Sequence, residues 1–167
     1  YGSTETVTHV ALRTVNGETR SSTFNALGDV RFGRDPRGCL VVYTPHLSVP
    51  QHVTNDFAEL DGDRRFTWLG RYDNVILSGG KKIFPEQLEA RTAAVIPYAH
   101  YFTATPDDVL GQAVLLVLEC PRPEDEVLSE VMPLLMGVLH PHELPRRVRA
   151  VPVFRRTSAG KVIRAQP

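Results

Sequence analysis

The sequence predicts an α+β fold, with a β-rich first part followed by a small unit that contains both strands and helices. Three observations lead to this prediction. Runs rich in β-branched residues dominate the first part, helical spacing of apolar residues begins only after Pro85, and the pattern changes after Gly70. We therefore expect two domains, covering residues 1–72 and 73–167.

The first part is expected to consist of strands. The run T-H-V-A-L-R-T-V at 8–15 is rich in β-branched residues, and a second strand is predicted at 39–44. Segments 56–60 and 65–69 flank Asp61-Gly62-Asp63. An Asp-Gly pair between alternating apolar runs is the strongest short-range signal for a β-hairpin.

The second part is expected to alternate strands and helices. A β-rich run at 75–83 is broken by Ser78-Gly79-Gly80, and Pro85 is well suited to the first turn of a helix. Apolar residues at helical spacing predict a second helix at 124–139, in which Pro133 favours a kink or a late start. Further strands are predicted at 101–103, 113–118 and 148–154, and the apolar pair at 162–163 completes the unit.

Composition excludes several classes of protein. With 42% hydrophobic and 23% charged residues the chain is neither disordered nor fibrous. Nineteen basic and nineteen acidic residues give a net charge of zero, so we expect no nucleic-acid partner. No apolar run approaches the roughly 20 residues that span a bilayer, so we expect no membrane insertion.

The two cysteines point to a reducing compartment. Cys39 and Cys120 have no C-x-x-C spacing and lie in or beside apolar runs, so we expect packing residues and a cytoplasmic location. The chain begins at Tyr1 without an initiator methionine, and we expect it to be part of a longer polypeptide.

Three short segments carry groups that can do chemistry. The first, Tyr1-Gly2-Ser3-Thr4-Glu5, combines an aromatic ring, hydroxyls and a carboxylate. Such a segment could stack on a base, donate to a phosphate and bind Mg²⁺, which prefers carboxylate and phosphate oxygens. A frayed polar terminus is the alternative, and for this segment alone it is the favoured one.

The other two segments carry glycine and lysine. Ser78-Gly79-Gly80-Lys81-Lys82 lacks the spacing of a P-loop, so a glycine hairpin with solvated lysines is the better interpretation of its spacing. Lys161 follows a glycine in Thr157-Ser158-Ala159-Gly160-Lys161, and could reach a phosphate as a mobile point charge or be an ordinary surface lysine. His140-Pro141-His142 is too closely spaced to favour a metal site.

Together these segments resemble the adenylate-forming superfamily of acyl-CoA synthetases, luciferases and peptide-synthetase adenylation domains. Y-G-S-T-E-T resembles its Y-G-x-T-E segment, T-N-D at 54–56 its T-G-D, and 70–83 its G-R-x-D-x-x-I-x-x-G-G-x-K-I signature. T-S-A-G-K-V-I-R at 157–164 resembles its closing T-x-x-G-K-x-x-R. The match extends along the whole chain, and the particular residues in these segments are most like those of the short 2-succinylbenzoate–CoA ligases of menaquinone biosynthesis.

The resemblance implies a fold and a nucleotide site. Residues 1–72 would be the β-rich end of the large AMP-binding domain, and 73–167 the C-terminal lid domain. Tyr1, with Gly2 beside it, would stack on adenine. Thr4 would contact the α-phosphate of ATP, and Glu5 would hold Mg²⁺.

The resemblance also implies roles further along the chain. Asp56 and Arg71 would bind the ribose hydroxyls of ATP or AMP, because a carboxylate accepts both hydrogen bonds of a cis-diol. Asp73 would be the hinge, and Lys161 would bridge the acyl carboxylate and the phosphate. The residues facing CoA would be Ser78, Gly79, Gly80 and Lys81.

Two positions depart from the family pattern. Asn55 replaces the usual glycine of T-G-D, and Arg156 stands where many relatives have proline. We expect neither residue to abolish nucleotide binding, but Arg156 leaves the conformation of the lysine loop open.

The implied activity is a two-step acid–CoA ligation. A small-molecule carboxylic acid attacks ATP to form an acyl-adenylate, and CoA then displaces AMP. The family's phosphate-binding loop and most of its acyl pocket precede the Y-G-x-T-E segment, so the chain would need the missing N-terminal portion of the ligase and would be inactive alone. The alternatives are a truncated, non-catalytic module that binds a nucleotide or a partner, and a ligase for another aryl acid, fatty acid or amino acid. Only His9 is placed to contribute to an acyl pocket.

Overall fold

The computed structural model describes residues 1–3, 6 and 8–164. The chain forms two compact units, Tyr1–Asp73 and Asn74–Pro167, and a 3-10 turn, Tyr72–Asn74, contains the point of division. That the units are the end of a large domain and a lid domain stays a prediction. No helix in the described part of the chain is long and apolar enough to cross a membrane.

The first unit is built on one antiparallel sheet of six strands. The strands are β1 Ala11–Leu12, β2 Thr23–Ala26, β3 Arg31–Arg34, β4 Cys39–Tyr43, β5 Gln51–Asp61 and β6 Arg65–Arg71. Their order across the sheet is β1-β2-β6-β5-β4-β3. Phe66 is fully buried at its centre, and the rings of Phe24 and Phe32 lie 5.1 and 4.8 Å from it.

The predicted hairpin is confirmed in this unit. Strands β5 and β6 pair from Asp61 and Arg65 at the turn to Asp56 and Arg71 at the far end, and Gly62 in the turn has a φ of +71°. The strand predicted at 8–15 shrinks to β1.

Two strands of the first unit escape the sequence analysis. β2 and β3 are short, T-F-N-A and R-F-G-R, and show no run of β-branched residues. Each is anchored by one aromatic side chain, Phe24 or Phe32, that packs into the core. A single aromatic residue in a polar segment is too weak a pattern to predict a strand.

The second unit combines a five-stranded sheet with two helices. Its elements are β7 Ile76–Ser78, β8 Lys81–Ile83, α1 Pro85–Thr92, β9 His100–Asp107, β10 Gly111–Glu119, α2 Glu124–Met136 and β11 Arg147–Val151. β10 is the central strand: it pairs antiparallel with β9 and β7, and parallel with β11. The core is formed by buried side chains from β10 together with Leu88 of α1 and Val127, Val131 and Leu135 of α2.

The helices and strands predicted for this unit are present, with one correction. α2 begins at Glu124 and runs through Pro133, so the late start that this proline was expected to favour is wrong. The reason is position: Pro133 lies in the last turns, on an exposed part of the helix, while Val127 and Val131 fix the preceding turns against the sheet. Cys39 and Cys120 are both buried, as expected for packing residues.

Candidate functional site

A cavity of about 250 Å³ in the first unit is formed where β5 enters the sheet and β6 leaves it. Because β5 pairs antiparallel with β6, Asp56 lies directly opposite Arg71. The cavity is lined by Tyr1, Ser3, His52, Val53, Thr54, Asn55, Asp56 and Arg71. The fold therefore brings together Tyr1, Asp56 and Arg71, which the sequence analysis assigned to one nucleotide site.

Asp56 is the central group of this cavity. Its side chain is 12% exposed; its Oδ2 accepts a hydrogen bond from the Tyr1 hydroxyl and its Oδ1 accepts one from Nη1 of Arg71 at 3.4 Å. The backbone N–H of Asp56 donates to Oγ1 of Thr54 at 3.1 Å, and that hydroxyl donates to the carbonyl of Leu40 at 2.8 Å. The carboxylate is thus fixed, with lone pairs left for further donors.

Tyr1 donates its hydrogen bond to Oδ2 of this carboxylate, whereas Arg71 contacts Oδ1. Burial raises the pKa of the Tyr1 hydroxyl well above its ordinary range, and the hydrogen bond to Asp56 adds to that shift, so the hydroxyl stays a donor. The ring packs edge-on against Phe24 and Phe66, at 5.9 and 5.2 Å between centroids. Tyr1 is therefore both a core residue and part of the cavity wall.

Arg71 links two acidic side chains. Its Nη1 contacts Asp56, and its Nη2 donates to Oδ2 of Asp73 at 3.5 Å. The side chain is 46% exposed, so the guanidinium is open to solvent at the mouth of the cavity. One cation can thus bind an anion or a hydroxyl there while still facing the predicted hinge residue.

Gly2 has a packing role that the sequence analysis did not foresee. Its backbone forms an isolated bridge with His9, and a Cβ at this position would lie 2.7 Å from the carbonyl oxygen of Thr8. Any larger residue would displace that strand-like contact. The predicted place of Gly2 beside the nucleotide stays a prediction.

Three further residues complete the account of the predicted site. Thr4 and Glu5 lie outside the described residues, so their predicted roles toward the α-phosphate and Mg²⁺ stay predictions. His52 was not predicted: its Nε2 is buried and, among the described residues, has no hydrogen-bond partner. No pattern in the sequence marks it, because a lone histidine within a strand is usually a packing residue.

The glycine-rich segment of the second unit forms a tight hairpin. Ser78 pairs with Lys81, and the two residues between them, Gly79 and Gly80, have φ values of +55° and +79°. These conformations favour glycine, as a two-residue hairpin turn requires. The N–H of Gly79 donates to the carbonyl of Leu110 at 3.0 Å, which fixes the hairpin against the β9–β10 loop.

This hairpin borders a second cavity, of about 410 Å³. Ser78, Gly79 and Lys81 form one side of it, and Pro141, His142, Leu144, Pro145 and Arg146 form another. The hairpin with exposed lysines, which spacing alone favoured, is the observed structure, and it also presents three of the predicted CoA-facing residues to one cavity.

Lys161 lies at the end of a closed turn. The N–H of Thr157 donates to the carbonyl of Lys161 at 2.8 Å, and Oγ1 of Thr157 accepts the N–H of Lys161 at 3.2 Å. Gly160, at φ +79°, closes the turn, and Lys161 is exposed. The ammonium is therefore carried on a defined loop and is accessible.

The sequence analysis left open how Arg156, in place of the family's proline, affects the conformation of this loop. Its backbone forms a bridge with Val162, and its guanidinium donates to Oε2 of Glu119 at 3.0 Å. An arginine in place of proline is thus compatible with a closed loop, and its side chain ties the loop to β10.

The chain is similar in sequence and fold to several known proteins. The chain matches no protein-family model. It is 27% identical over 140 residues to the 3-oxocholest-4-en-26-oate–CoA ligase of Rhodococcus rhodochrous, covering 80% of this chain. An acyl-CoA synthetase (AMP-forming)/AMP-acid ligase II-like protein from Dyadobacter fermentans is 36% identical over 97% of this chain, with a TM-score of 0.53.

A further solved structure shares the fold at lower identity. The o-succinylbenzoate CoA synthetase of Bacillus subtilis, solved with an acyl-adenylate intermediate, superposes with a TM-score of 0.62 over 87% of this chain at 18% identity. The chain spans 25% of the Rhodococcus relative, 47% of the Dyadobacter structure and 34% of the Bacillus structure. In each comparison it therefore corresponds to only part of a longer protein.

Proposed function

We propose, on the premise that the chain belongs to the acyl-CoA synthetase (AMP-binding) superfamily of its sequence and structural relatives, that it is the C-terminal part of an AMP-forming acid–CoA ligase. The remaining part of the large domain is then the partner that supplies the phosphate-binding loop and most of the acyl pocket. The co-substrates are ATP, CoA and a small carboxylic acid. Catalysis by the whole polypeptide requires both parts.

The observation that carries this proposal is the arrangement around Asp56. Three motif segments, at 1–6, 54–56 and 70–83, contribute a tyrosine, a carboxylate and a guanidinium to one cavity. Asp56 can accept the two hydroxyl groups of a ribose as charge-assisted hydrogen bonds, and Arg71 can donate to the same sugar. Tyr1, which lines the same cavity, is assigned to the adenine ring.

The first half-reaction is assigned to residues near the two ends of the chain. The carboxylate of the acid attacks the α-phosphorus of ATP and pyrophosphate leaves, so negative charge develops on the α-phosphate oxygens. We assign Lys161 and Thr4 to that charge, since a cation or donor aimed at developing charge stabilises the transition state more than the ground state. Glu5 would hold Mg²⁺, which neutralises phosphate charge when bound.

The second half-reaction uses the glycine hairpin. CoA thiolate attacks the acyl carbon of the mixed anhydride and AMP leaves, a step in which Lys161 has no role. Ser78, Gly79, Gly80 and Lys81 are assigned to the CoA side, and the cavity that this hairpin borders supports the assignment. Asp73 is assigned as the hinge about which the small domain would turn between the two half-reactions.

We assign 2-succinylbenzoate as the acid, and hence menaquinone biosynthesis as the process. The residues of the T-N-D and G-R-Y-D-N-V-I-L-S-G-G segments, which resemble those of 2-succinylbenzoate–CoA ligases, support this choice. A ligase for a fatty or another aryl acid is the second candidate, because a relative from Mycolicibacterium smegmatis is named for medium- and long-chain fatty acids. The acyl pocket of the complete ligase would distinguish the two.

The nucleotide site can be tested in the 167-residue chain itself. Asp56→Asn keeps the shape of the side chain but removes its charge, so we expect AMP affinity to fall about tenfold or more, because hydrogen bonds to charged groups contribute about 1.5–3 kcal/mol. Isothermal titration calorimetry measures the effect. Asp61→Asn, an exposed carboxylate at the end of the same strand paired with Arg65, is the control. Equal affinity of wild type and Asp56→Asn would contradict the proposed site.

A further inference from the structure

Arg37, in the turn that precedes β4, uses its whole guanidinium group in defined contacts. Its Nε donates to Oδ2 of Asp35 at 2.7 Å, its Nη1 to Oδ1 of Asn55 at 3.1 Å, and its Nη2 to the carbonyl of Thr54 at 3.2 Å. Asp35 is itself fixed, because its Oδ1 accepts the N–H groups of Arg37 and Cys39. Every nitrogen of the guanidinium is therefore engaged.

The face of the same guanidinium covers an aromatic ring. Cζ of Arg37 lies 5.0 Å from the centroid of the Tyr72 ring, and that ring stacks on Phe57 at 5.6 Å. Phe57 follows Asp56 and Tyr72 follows Arg71 in the chain. Arg37 thus contacts both chain segments that carry the proposed ribose-binding pair.

The contacts to Thr54 and Asn55 bear directly on Asp56. Oγ1 of Thr54 accepts the N–H of Asp56, so a shift of the Thr54 backbone would move the carboxylate. Asn55 stands where the family pattern has glycine, and its side-chain oxygen is one of the three acceptors of the Arg37 guanidinium. Asn55 is therefore one of the groups through which Arg37 holds this segment.

We propose that Arg37 is a positioning residue for the ribose-binding carboxylate of Asp56, acting through Thr54 and Asn55. Arg37 is not among the described residues that line the cavity, so its effect on the ligand passes through Thr54 and Asn55, which do line it. This inference rests on the proposed function. A lysine could not replace it, because a single ammonium cannot make three directed contacts and a stacked face at once.

The contacts of Arg37 differ from those of an ordinary surface arginine. Arg31 pairs with Asp63 and Arg65 pairs with Asp61, each in an exposed ion pair. Such pairs contribute little to stability or positioning. Arg37 instead joins the turn before β4, the start of β5 and the end of β6.

The test compares two ligands that differ only in the ribose hydroxyls. Affinities for AMP and for 2′,3′-dideoxy-AMP are measured calorimetrically with the wild-type chain, Arg37→Ala, Arg37→Lys and the control Arg65→Ala. We expect wild type to prefer AMP, and Arg37→Ala and Arg37→Lys to lower this preference by about fivefold, since directly coupled groups interact by about 0.5–3 kcal/mol. Arg65→Ala should keep the wild-type preference.

A second variant removes the acceptor instead of the donor. Asn55→Gly restores the family residue, so it should fold even if Arg37→Ala does not. We expect Asn55→Gly to lower the preference for AMP by about two- to threefold in the wild-type chain and to have little further effect in Arg37→Ala, because the shared bond is already lost.

The outcomes separate this inference from the proposed function. If wild type binds neither nucleotide, or both equally, the ribose site itself is wrong and the role of Arg37 falls with it. If wild type prefers AMP and Arg37→Ala keeps the same preference, only the positioning role is overturned. An equal weakening of both ligands, or additive effects of the Arg37 and Asn55 substitutions, would also overturn it.

Discussion

At the scale of single residues, Arg164 shows how the closing motif is attached to the second unit. Its two terminal nitrogens donate to both carboxylate oxygens of Glu89 at 2.8 and 2.7 Å, and Nη1 also donates to the carbonyl of Phe102 at 3.1 Å. Burial raises the pKa of Glu89, and the guanidinium of Arg164 opposes this shift. The ion pair therefore opposes the effect of burial on this carboxylate.

Removing Arg164 should destabilise the chain. Arg164→Ala leaves Glu89 without its cation. We expect the free energy of unfolding to fall by about 2–3 kcal/mol, at or below the lower limit for breaking a buried pair, because both side chains keep some exposure. Urea denaturation followed by circular dichroism measures the loss. Arg122→Ala, which breaks exposed pairs with Glu126 and Glu130, is the control and should lower stability clearly less than Arg164→Ala. Equal costs for the two variants would refute the distinction.

The residue scale also shows what sequence can and cannot predict about a site. Tyr1, Asp56 and Arg71, which line one cavity, were predicted as site residues because each lies in a segment with a recognisable order and spacing. Arg37, Glu89 and His52 were not predicted. Arg37 reaches Asn55 across 18 positions of the chain, and Glu89 reaches Arg164 across 75. Such pairs depend on tertiary contacts that no local pattern encodes.

At the scale of elements, the loop between β9 and β10 is organised by one carboxylate. Oδ1 of Asp107 accepts the N–H groups of Val109 and Leu110 at 3.0 and 2.9 Å, and Oδ2 accepts Nη1 of Arg146 at 3.1 Å. The N–H of Leu110, with smaller contributions from Val109 and Arg146, lowers the pKa of Asp107 below its ordinary value. The charged form is therefore the one that stabilises this loop.

This loop should make stability depend on pH. Because the pKa of Asp107 is lowered in the folded chain, its contribution is complete above its ordinary pKa and is lost as the pH falls through the lowered value. Asp107→Asn keeps a side-chain oxygen that can accept the N–H groups of Val109 and Leu110, but it removes the ionisable carboxyl group. On lowering the pH from neutral to about 3, the melting temperature of wild type should therefore fall further than that of Asp107→Asn, by about 2–4 °C. Thermal melts at both pH values provide the test. Asp108→Asn, an exposed neighbour, should behave as wild type, and identical pH dependence of all three proteins would contradict the role of Asp107.

The predictability of elements followed the strength of their local signals. The Asp61-Gly62-Asp63 hairpin and the helix opened by Pro85 were predicted because turn chemistry and helix-start chemistry are local. β2 and β3 were missed because the sheet, through a single aromatic contact each, imposes their conformation. The run of α2 through Pro133 is likewise decided by packing of Val127, Val131 and Leu135.

At the scale of the whole molecule, the two units carry complementary sets of groups. The unit Tyr1–Asp73 contains the proposed ribose site, and the unit Asn74–Pro167 contains the glycine hairpin and the lysine loop. Both Lys161 and Lys81 are exposed, and each lies on a turn fixed by its own backbone hydrogen bonds or strand pairing. Under the proposed function, the second unit would offer a different lysine to each half-reaction.

Substitution of these lysines should separate the two half-reactions in a polypeptide that joins this chain to the rest of the large domain. Lys161→Ala removes the ammonium assigned to the α-phosphate, so adenylate formation, measured by pyrophosphate release, should fall by about 100-fold or more, as for loss of one donor to a developing oxyanion. Thioester formation from a preformed acyl-adenylate should be unchanged, because that step makes no use of this ammonium. Lys82→Ala, the neighbour of the CoA-side lysine, is the control for general loss of charge and should leave pyrophosphate release intact. Equal losses in both half-reactions for Lys161→Ala would mean that the lysine supports the fold and does not act on the phosphate.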